Sequence, residues 1–563
     1  MNKRWVIATP DPAATKTLAH ELQISEPITR VLINRGIHDI ESARKFLNPQ
    51  LRQLGDPFAL SGMERAVEPT LAGIENKQRI VVYGDYDVDG VTSTALLLRV
   101  LRAAGANVTG FLPHRMDEGY GLTTDGLARC LKEHDPELLI AVDCGTTAVA
   151  EIADLKSQHV DVVVLDHHEP LARLPECILV NPKVVDGASA RRHAAYGDLA
   201  SVGVAFKLVH ALLKRDRRLA DIIDLRDHLD LVAVGTVADI VPLTGENRIL
   251  VRAGLERLPY TQKIGLRVLM DVADVPDTVK PYHIGFRVGP RLNAAGRLTD
   301  AMAALELLLT DDSVRAAELA KLLNDHNTDR QRIEERITEE VRAMAREFEG
   351  DRVLVLSNSA WHAGVIGIVA SRIAQQFYRP TVIIGKGGKG SCRSVSGFSI
   401  VDALASCAAI LERFGGHEMA AGLSIEPERI GELRRQLNEH AARVLKDENL
   451  QPQLHIDAVV RLGELRGEFF KQLEGLEPCG QGNPEPTFAA RGVRLRGAPR
   501  VVGKDHLKFF VTDDEVSAEA IWWKMAEREL PKGSIDVAFN AGLHEYHGEQ
   551  NVQLKVRDVQ ATV

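Results

Sequence analysis

Val81-Val82-Tyr83-Gly84-Asp85-Tyr86-Asp87-Val88-Asp89-Gly90-Val91 is an apolar run that ends in three carboxylates at alternate positions, with a glycine on either side of them. The run reads as a buried strand. Acidic groups crowded at its end repel one another, so they stay ionised together only where cations or strong donors hold them. A solvated Asp-Gly turn, common after strands, is the competing reading. The rest of the chain decides between the two.

Outward from this stretch, apolar β-rich runs alternate with helical patterns: Ile80 to Tyr83, Ser93 to Ala104, Asn107 to Leu112, Thr124 to Glu133, Leu138 to Val142, Thr147 to Lys156 and Val160 to Leu165. Such repeated units predict an α/β domain whose parallel sheet is covered on both faces, with its ligand site beyond the carboxyl ends of the strands. Three further motifs fall at that rim. Ala141-Val142-Asp143-Cys144-Gly145 brings an aspartate out of a strand into a tight turn, with Cys144 read as a packed side chain. Val164-Leu165-Asp166-His167-His168-Glu169 sets two imidazoles beside a carboxylate, and Val237-Ala238-Asp239 supplies one more acid at the end of an apolar segment. Each alone fits a cap or a turn; together they point to a binuclear site. Carboxylate and imidazole donors without thiolate favour Mn²⁺ or Mg²⁺ over structural Zn²⁺. A pair of such ions clamps the oxygens of a phosphodiester, so phosphoester hydrolysis is the expected reaction.

The 563 residues predict about three or four domains. No apolar stretch is long enough to cross a bilayer, and Met1 to Thr9 lacks the apolar segment and cleavage site of a secretory signal. Six cysteines (Cys130, Cys144, Cys177, Cys392, Cys407 and Cys479) show no Cys-x-x-Cys spacing. They read as reduced thiols, and the expected location is the cytoplasm. A net charge of −9 argues against a uniformly basic nucleic-acid coat but leaves room for local basic channels.

Five segments follow from the pattern. Residues 1–78 read as an N-terminal extension of short helices without chemistry, and 79–310 as the sheet domain. Asp312 to Phe348 contains neither proline nor glycine, so 311–349 reads as a connecting helix of about 55 Å. Two helices broken near Asn324 to Thr328 are the alternative, because Asn, Asp and Thr are poor helix formers. Residues 350–450 form a second α/β unit. In 451–563, short alternating runs such as Leu507 to Val511, Val516 to Trp522, Ile535 to Asn540 and Asn551 to Val556 predict a small β-barrel.

Several basic or glycine-rich stretches are candidate phosphate contacts. Gly285 to Leu298 carries Arg287, Arg291, Asn293 and Arg297, contains no acid, and is too glycine-rich for a plain helix. It reads as a phosphate-backbone clamp, or else as a loop that ties domains together through carboxylates. Arg115 leaves a strand end on the same rim. Gly415-Gly416-His417 offers backbone N–H groups and an imidazole to an anion, with a Gly-rich turn carrying a buried His as the alternative. Trp361 to Arg372 opens a helix whose N-terminus is a positive pole, and Ser371 and Arg372 lie about two turns in, where the arginine reaches a phosphate or merely solvent. Ser391, Arg393 and Ser394 are similar candidates. In the barrel, Arg491, Arg494, Arg496, Arg500, Lys504 and Lys508 interleave with Phe509, Phe510, Trp522 and Trp523. Those rings either stack on single-stranded bases or fill the core.

In order and spacing, Asp85-Tyr86-Asp87-Val88-Asp89, Asp143, Asp166-His167-His168 and Asp239 resemble the motifs of the DHH phosphoesterase superfamily across the whole first domain. The resemblance implies Asp85, Asp87, Asp89, Asp143, His167 and Asp239 as metal ligands, with Asp143 bridging and His168 facing the scissile phosphate. Asp85 is either a direct ligand or a group that orients one, and Asp166 orients a neighbour. The segment around Gly415 to Gly422 resembles the DHH-associated substrate domain. With the long helix and an OB-like C-terminal barrel, the arrangement resembles the superfamily's bacterial single-strand-specific DNA exonucleases. That implies 5'-to-3' digestion to mononucleotides with two Mn²⁺ or Mg²⁺ per active site, in repair and recombination. It also implies single-stranded DNA, a single-strand-binding protein and a RecQ-like helicase as partners. The alternative is a phosphodiesterase of short oligonucleotides or cyclic dinucleotides, which usually lacks the barrel. A groove between the two α/β domains, lined by Arg287, Arg291 and Arg297 and too narrow for duplex, would explain single-strand selectivity.

Overall fold

The computed structural model describes residues 3–115, 117–184, 196–298, 300–546 and 549–562. Its first sheet has five parallel strands in the spatial order Asn107–Phe111, Arg79–Gly84, Leu138–Val142, Asp161–Leu165 and Ile178–Val180. Period-two alternation sorts these apolar strands onto two cores. Ile80, Val82, Ile140, Val142 and Val163 face the helices Val88–Ala103 and Ser201–Arg215. Val81, Tyr83, Leu139, Ala141 and Val164 face Thr124–His134 and Val149–Ser157. The order reverses between Arg79–Gly84 and Leu138–Val142, and in open α/β sheets the crevice at such a switch point is where ligands bind. Asp85 and Asp143 are the residues that follow those two strands.

The connecting helix is a single element, Ser313–Glu347, of 35 residues and about 52 Å. Asp312 caps it by accepting from the amides of Val314 and Arg315. The poor helix formers at its middle do not break it. Thr328 bonds back to the Asn324 carbonyl at 2.9 Å, and the buried Asn327 accepts from Arg330 at 3.0 Å. Leu319 and Leu323 belong to the first core, whereas Ile337, Val341 and Ala345 pack with Trp361 and Ile366 of the second α/β unit. Tertiary packing at both ends therefore overrides local propensity.

The second sheet is mixed, in the order Arg413–His417, Ala420–Ser424, Lys389–Arg393, Thr381–Ile384 and Leu354–Ser357, with only the last two parallel. The C-terminal strands Phe488–Leu495, Ser534–Tyr546, Glu549–Ala561, Ser517–Trp522 and His506–Thr512 pair each with the next, and Phe488–Leu495 also pairs with His506–Thr512, which closes a five-stranded barrel.

The N-terminal segment carries the expected short helices, among them Glu26–Asn34 and Ile40–Leu47, but it is not a separate extension. It opens with a strand, Arg4–Ile7, that runs parallel to Gln453–Ile456 at the entrance to the barrel region. Ile28, Val31, Leu32 and Ala43 share a core with Phe469, Phe470 and Leu476, while the helix Met63–Glu75 packs into the first domain through Met63, Ala66 and Val67. The chain thus closes on itself. Arg248, only 2% exposed, fastens the junction: its guanidinium donates to the carbonyls of Phe46, Gly475, Leu476, Glu477 and Pro478.

Candidate metal centre

The acidic residues converge at the carboxyl edge of the first sheet because each is held by a local device. Asp87 caps the helix Val88–Ala103, its Oδ1 accepting from the amides of Asp89 and Gly90 at 2.9 and 3.2 Å. Gly90 is required there: a Cβ would stand 2.4 Å from the Asp85 carbonyl oxygen. Asp89 reaches across to a second helix N-terminus and accepts from the amides of Ser201 at 2.7 Å and Val202 at 2.9 Å. Asp143 follows its strand with φ of 60°, a left-handed conformation that aspartate tolerates better than most residues, and accepts from Ser201 Oγ at 3.0 Å.

Three overlapping groups of donors lie within 4.8 Å of one another: Asp85, Asp87 and Asp143; Asp89, His167 and Asp239; and Asp143, His167 and His168. Asp143 belongs to two of them. His167 Nε2 sits 3.5 Å from Asp143 Oδ1 and 3.4 Å from Asp239 Oδ2. Yet His167 Nε2, Asp239 Oδ2 and both oxygens of Asp85 are buried without a hydrogen bond. Unpaired buried oxygens and a free imidazole nitrogen aimed at one another are what divalent cations would satisfy, so the donor set fits such ions.

Electrostatics agree. Burial first and neighbouring carboxylates second push the carboxyls of Asp85 and Asp143 well above the ordinary range, Asp89 up to about 7 and Asp239 up to about 9. Cations would reverse that logic. Burial, then the charge of His168, lowers His167 to about 3, which leaves it the neutral imidazole a ligand must be. Asp166 differs from its neighbours: burial would raise it, but bonds from His168 Nδ1 at 2.7 Å and the Thr146 amide at 2.9 Å hold it well below the usual range. It thereby holds the ring of His168, whose Nε2 meets Tyr120 Oη at 2.8 Å.

The sequence left the form of one segment open and missed three supports. The apolar segment that Asp239 ends is the helix Leu229–Ala238. A short, uniformly apolar run carries no period that separates strand from buried helix. Ser201 and Asn181 lack any motif. Asn181 Nδ2 donates to Thr146 Oγ1 and to the His168 carbonyl, both at 2.9 Å. Tyr120 stands in a Gly-Tyr-Gly segment whose glycines signal a turn but not the side chain's use.

A cavity of about 320 Å³ opens beside the centre, between Tyr86, Arg115 and Tyr120 on one wall and Gly364, Lys389 and Ser391 of the second α/β unit on the other. Arg115 lies 4.8 Å over the Tyr86 ring. Arg297 spans the two walls, donating to the Gly364 carbonyl at 3.0 Å, and burial followed by the charge of Arg115 lowers it to about 10. Arg393 is half-buried and donates to the Cys392 carbonyl at 2.8 Å and to Ser391 Oγ at 3.4 Å.

Other predicted phosphate contacts are engaged elsewhere. Gly285 to Leu298 is not a loop but a π-turn, Ile284–Val288, running into the helix Gly289–Leu298. Its glycines serve close approach: a Cβ on Gly296 would lie 2.9 Å from the Tyr86 carbonyl oxygen. Arg287 is held by the Asp274 carbonyl and carboxylate, and Arg291 by Asn324 Oδ1 at 3.1 Å and the Arg287 carbonyl at 2.7 Å. Asn293 is half-buried on the same helix. Arg372 pairs at 2.7 Å with Glu334 of the long helix, Ser371 bonds back to Gly367, and His362 Nδ1 accepts from the Gly364 amide, capping the helix expected to receive an anion. Gly415, Gly416 and His417 form an exposed edge strand rather than a turn carrying a buried His. Gly416 has φ of 143°, and a Cβ there would meet the Ala420 carbonyl oxygen at 2.4 Å. In the barrel, alternation settles which rings are available: Phe509 and Trp522 are core, whereas Phe510 and Trp523 are 44% and 52% exposed.

Three family models match the chain: the DHH family, N-terminal domain, over residues 79–236, the DHHA1 domain over 350–443, and the RecJ OB domain over 456–558. The Bacillus subtilis single-stranded-DNA-specific exonuclease RecJ is 36% identical over 569 aligned residues, covering 99% of this chain and 70% of that protein. Two crystal structures of RecJ from Thermus thermophilus superpose over 100% of this chain. The one in complex with Mn²⁺ does so with a TM-score of 0.87, 31% identity and 80% of its own chain covered, and the one with Mg²⁺ with 0.79, 30% and 79%.

Proposed function

The chain belongs to the RecJ family of single-stranded-DNA-specific exonucleases, and from that premise we propose how its residues carry the reaction. It is a metal-dependent single-stranded-DNA exonuclease that uses Mn²⁺ or Mg²⁺. The observation that carries the detailed reading is the convergence of six buried or half-buried donors on one sheet edge that faces a cleft between two domains.

Asp85, Asp87 and Asp143 would hold one cation and Asp89, His167 and Asp239 a second, with Asp143 shared; bound there, the pair supplies an activated water and offsets charge on the phosphate oxygens. The Ser201 and Val202 amides fix Asp89, and the capped helix fixes Asp87, so these two donors are held in place by the fold. Asp166 holds the His168 ring by Nδ1, which leaves Nε2 against the Tyr120 hydroxyl on the cleft wall, where the imidazole would meet the scissile phosphate. Arg115 and Arg297 supply positive charge beside the phosphates, with Lys389, Ser391 and Arg393 on the opposite side. At the barrel, Phe510 and Trp523 stack on bases of a long strand while Arg500 and Lys504 follow its backbone. Digestion runs 5' to 3' and releases mononucleotides, in the cytoplasm, with a single-strand-binding protein and a RecQ-like helicase as partners; these finer points rest on the family alone.

A single strand labelled at either end, its duplex and a short dinucleotide, each incubated with Mn²⁺ and with chelator, test the reading. We expect immediate release of label from the 5' end of the single strand, late release from the 3' end, and nothing with chelator. Equal cleavage of duplex, or activity confined to the dinucleotide, would overturn it.

A further inference from the structure

The helical run from Pro281 to Leu298 carries an exposed pair of aromatic rings that the reaction as described does not use. Tyr282 and Phe286 are 59% and 69% exposed, and their rings stack with centroids 4.8 Å apart at 25°. Four residues apart, they share one face of the helix. The opposite face is anchored, since Ile284 and Val288 are buried in the first core. The π-turn Ile284–Val288 accommodates both demands by inserting an extra residue into the turn, a distortion found often at functional sites. Two exposed rings in mutual contact make a contiguous apolar surface, the kind that marks an interaction site where single exposed side chains do not.

Two observations say what the partner is. First, the platform shares its support with the proposed strand path: the same helical run carries Arg297, eleven residues and about 17 Å beyond Phe286, where it bridges the walls of the cleft. The run also passes beside the metal centre, because a Cβ on Gly289 would touch Ala238, the neighbour of Asp239, at 3.4 Å. Second, residues 281–298 contain no acid, and although Arg287 is paired with Asp274 and Arg291 with Asn324, Arg297 brings a cation to the cleft wall at Gly364. Already stacked on each other, the rings leave an outer face on which a further flat ring can be added.

We infer that Tyr282 and Phe286 form a stacking platform for an unpaired nucleobase of the single strand outside the cleft. The inference rests on the exonuclease reading above and adds to it a contact that recognises the base and not the phosphate. Stacking requires a base free of its complement, so the platform is a second, independent source of single-strand selectivity. Every base has a π-face, so the contact is tolerant of sequence.

The test uses the full chain, in chelator so that nothing is cleaved, and long single strands in which one abasic nucleotide is placed at successive positions; binding is read by fluorescence anisotropy. For the wild-type protein, we expect one or two positions at which the missing base weakens binding by about tenfold. Phe286→Ala removes that position dependence, and Phe286→Trp, which restores a ring, keeps it. Both side chains are more than half exposed, so these substitutions leave the core untouched. An abasic profile that is the same in Phe286→Ala as in the wild type overturns the platform, and so does loss of self-association in Phe286→Ala with that profile unchanged, which would assign the rings to a protein contact. A wild-type protein that fails to bind single strands at any position would instead overturn the exonuclease reading.

Discussion

At the residue scale, Asp143 is the point on which the centre turns. Its oxygens belong to donor groups on both sides, and its backbone is held in the left-handed region by the turn that Gly145 continues. Replacing it with alanine removes the shared donor and leaves Ser201 Oγ without its acceptor. We predict that Asp143→Ala abolishes digestion by more than about a thousandfold, the scale of a lost electrostatic element at a reacting centre. Binding of single strands in chelator, measured by anisotropy, should stay within about twofold. Retained turnover would show that the bridging assignment is wrong. Asp85, whose two buried oxygens have no hydrogen-bond partner, is the donor beside Asp143 that a cation would satisfy.

At the element scale, what was legible in the sequence follows from the physics of each segment. Three of the parallel strands, Arg79–Gly84, Leu138–Val142 and Asp161–Leu165, are apolar runs followed directly by an aspartate, so both their direction and the rim where chemistry gathers are legible in the sequence. The helix Leu229–Ala238 is not, because complete burial erases the period that identifies a helix, and Asp239 is legible only as the end of an apolar segment. Glycines misled in the opposite direction: in Gly289–Leu298 they let a helix approach Tyr86, a tertiary reason invisible locally. The long helix was legible from its composition, but whether Asn324 to Thr328 broke it depended on packing at both ends. That packing includes Glu334, 1% exposed, which sits between Arg330 at 3.4 Å and Arg372 at 2.7 Å. Glu334→Ala leaves the Arg330 guanidinium buried without its counter-charge. We predict a loss of about 3 kcal/mol for the unit formed by the long helix and the second sheet, read from the shift of its urea unfolding transition. An unchanged transition would mean that the helix is held by its apolar face alone.

At the scale of the whole molecule, the two termini and the barrel form one body that is fastened to the catalytic domain by a buried arginine. The sequence hid this because no local pattern links Arg4–Ile7 to Gln453–Ile456 or Arg248 to five distant carbonyls. It also means that the barrel cannot be cut away cleanly. Removal after Gln451 would strip the partner strand of Arg4–Ile7 and uncover Ile28 and Leu32. Arg248→Met is the gentler probe, since it keeps volume and loses the bonds. We predict that it raises KM for long strands about tenfold, equivalent to ~1.4 kcal/mol, and leaves kcat on short strands within about twofold. Equal loss on both lengths would mean that the fastening serves the centre itself.

The central claim, that one set of side chains holds two divalent cations around a shared aspartate at the switch point of the first sheet, is tested most directly by anomalous diffraction from crystals of this protein soaked in Mn²⁺. The account predicts two peaks, one among Asp85, Asp87 and Asp143 and one among Asp89, His167 and Asp239, with an Asp143 oxygen contacting both. A single peak, or two peaks with Asp143 touching neither, would contradict it.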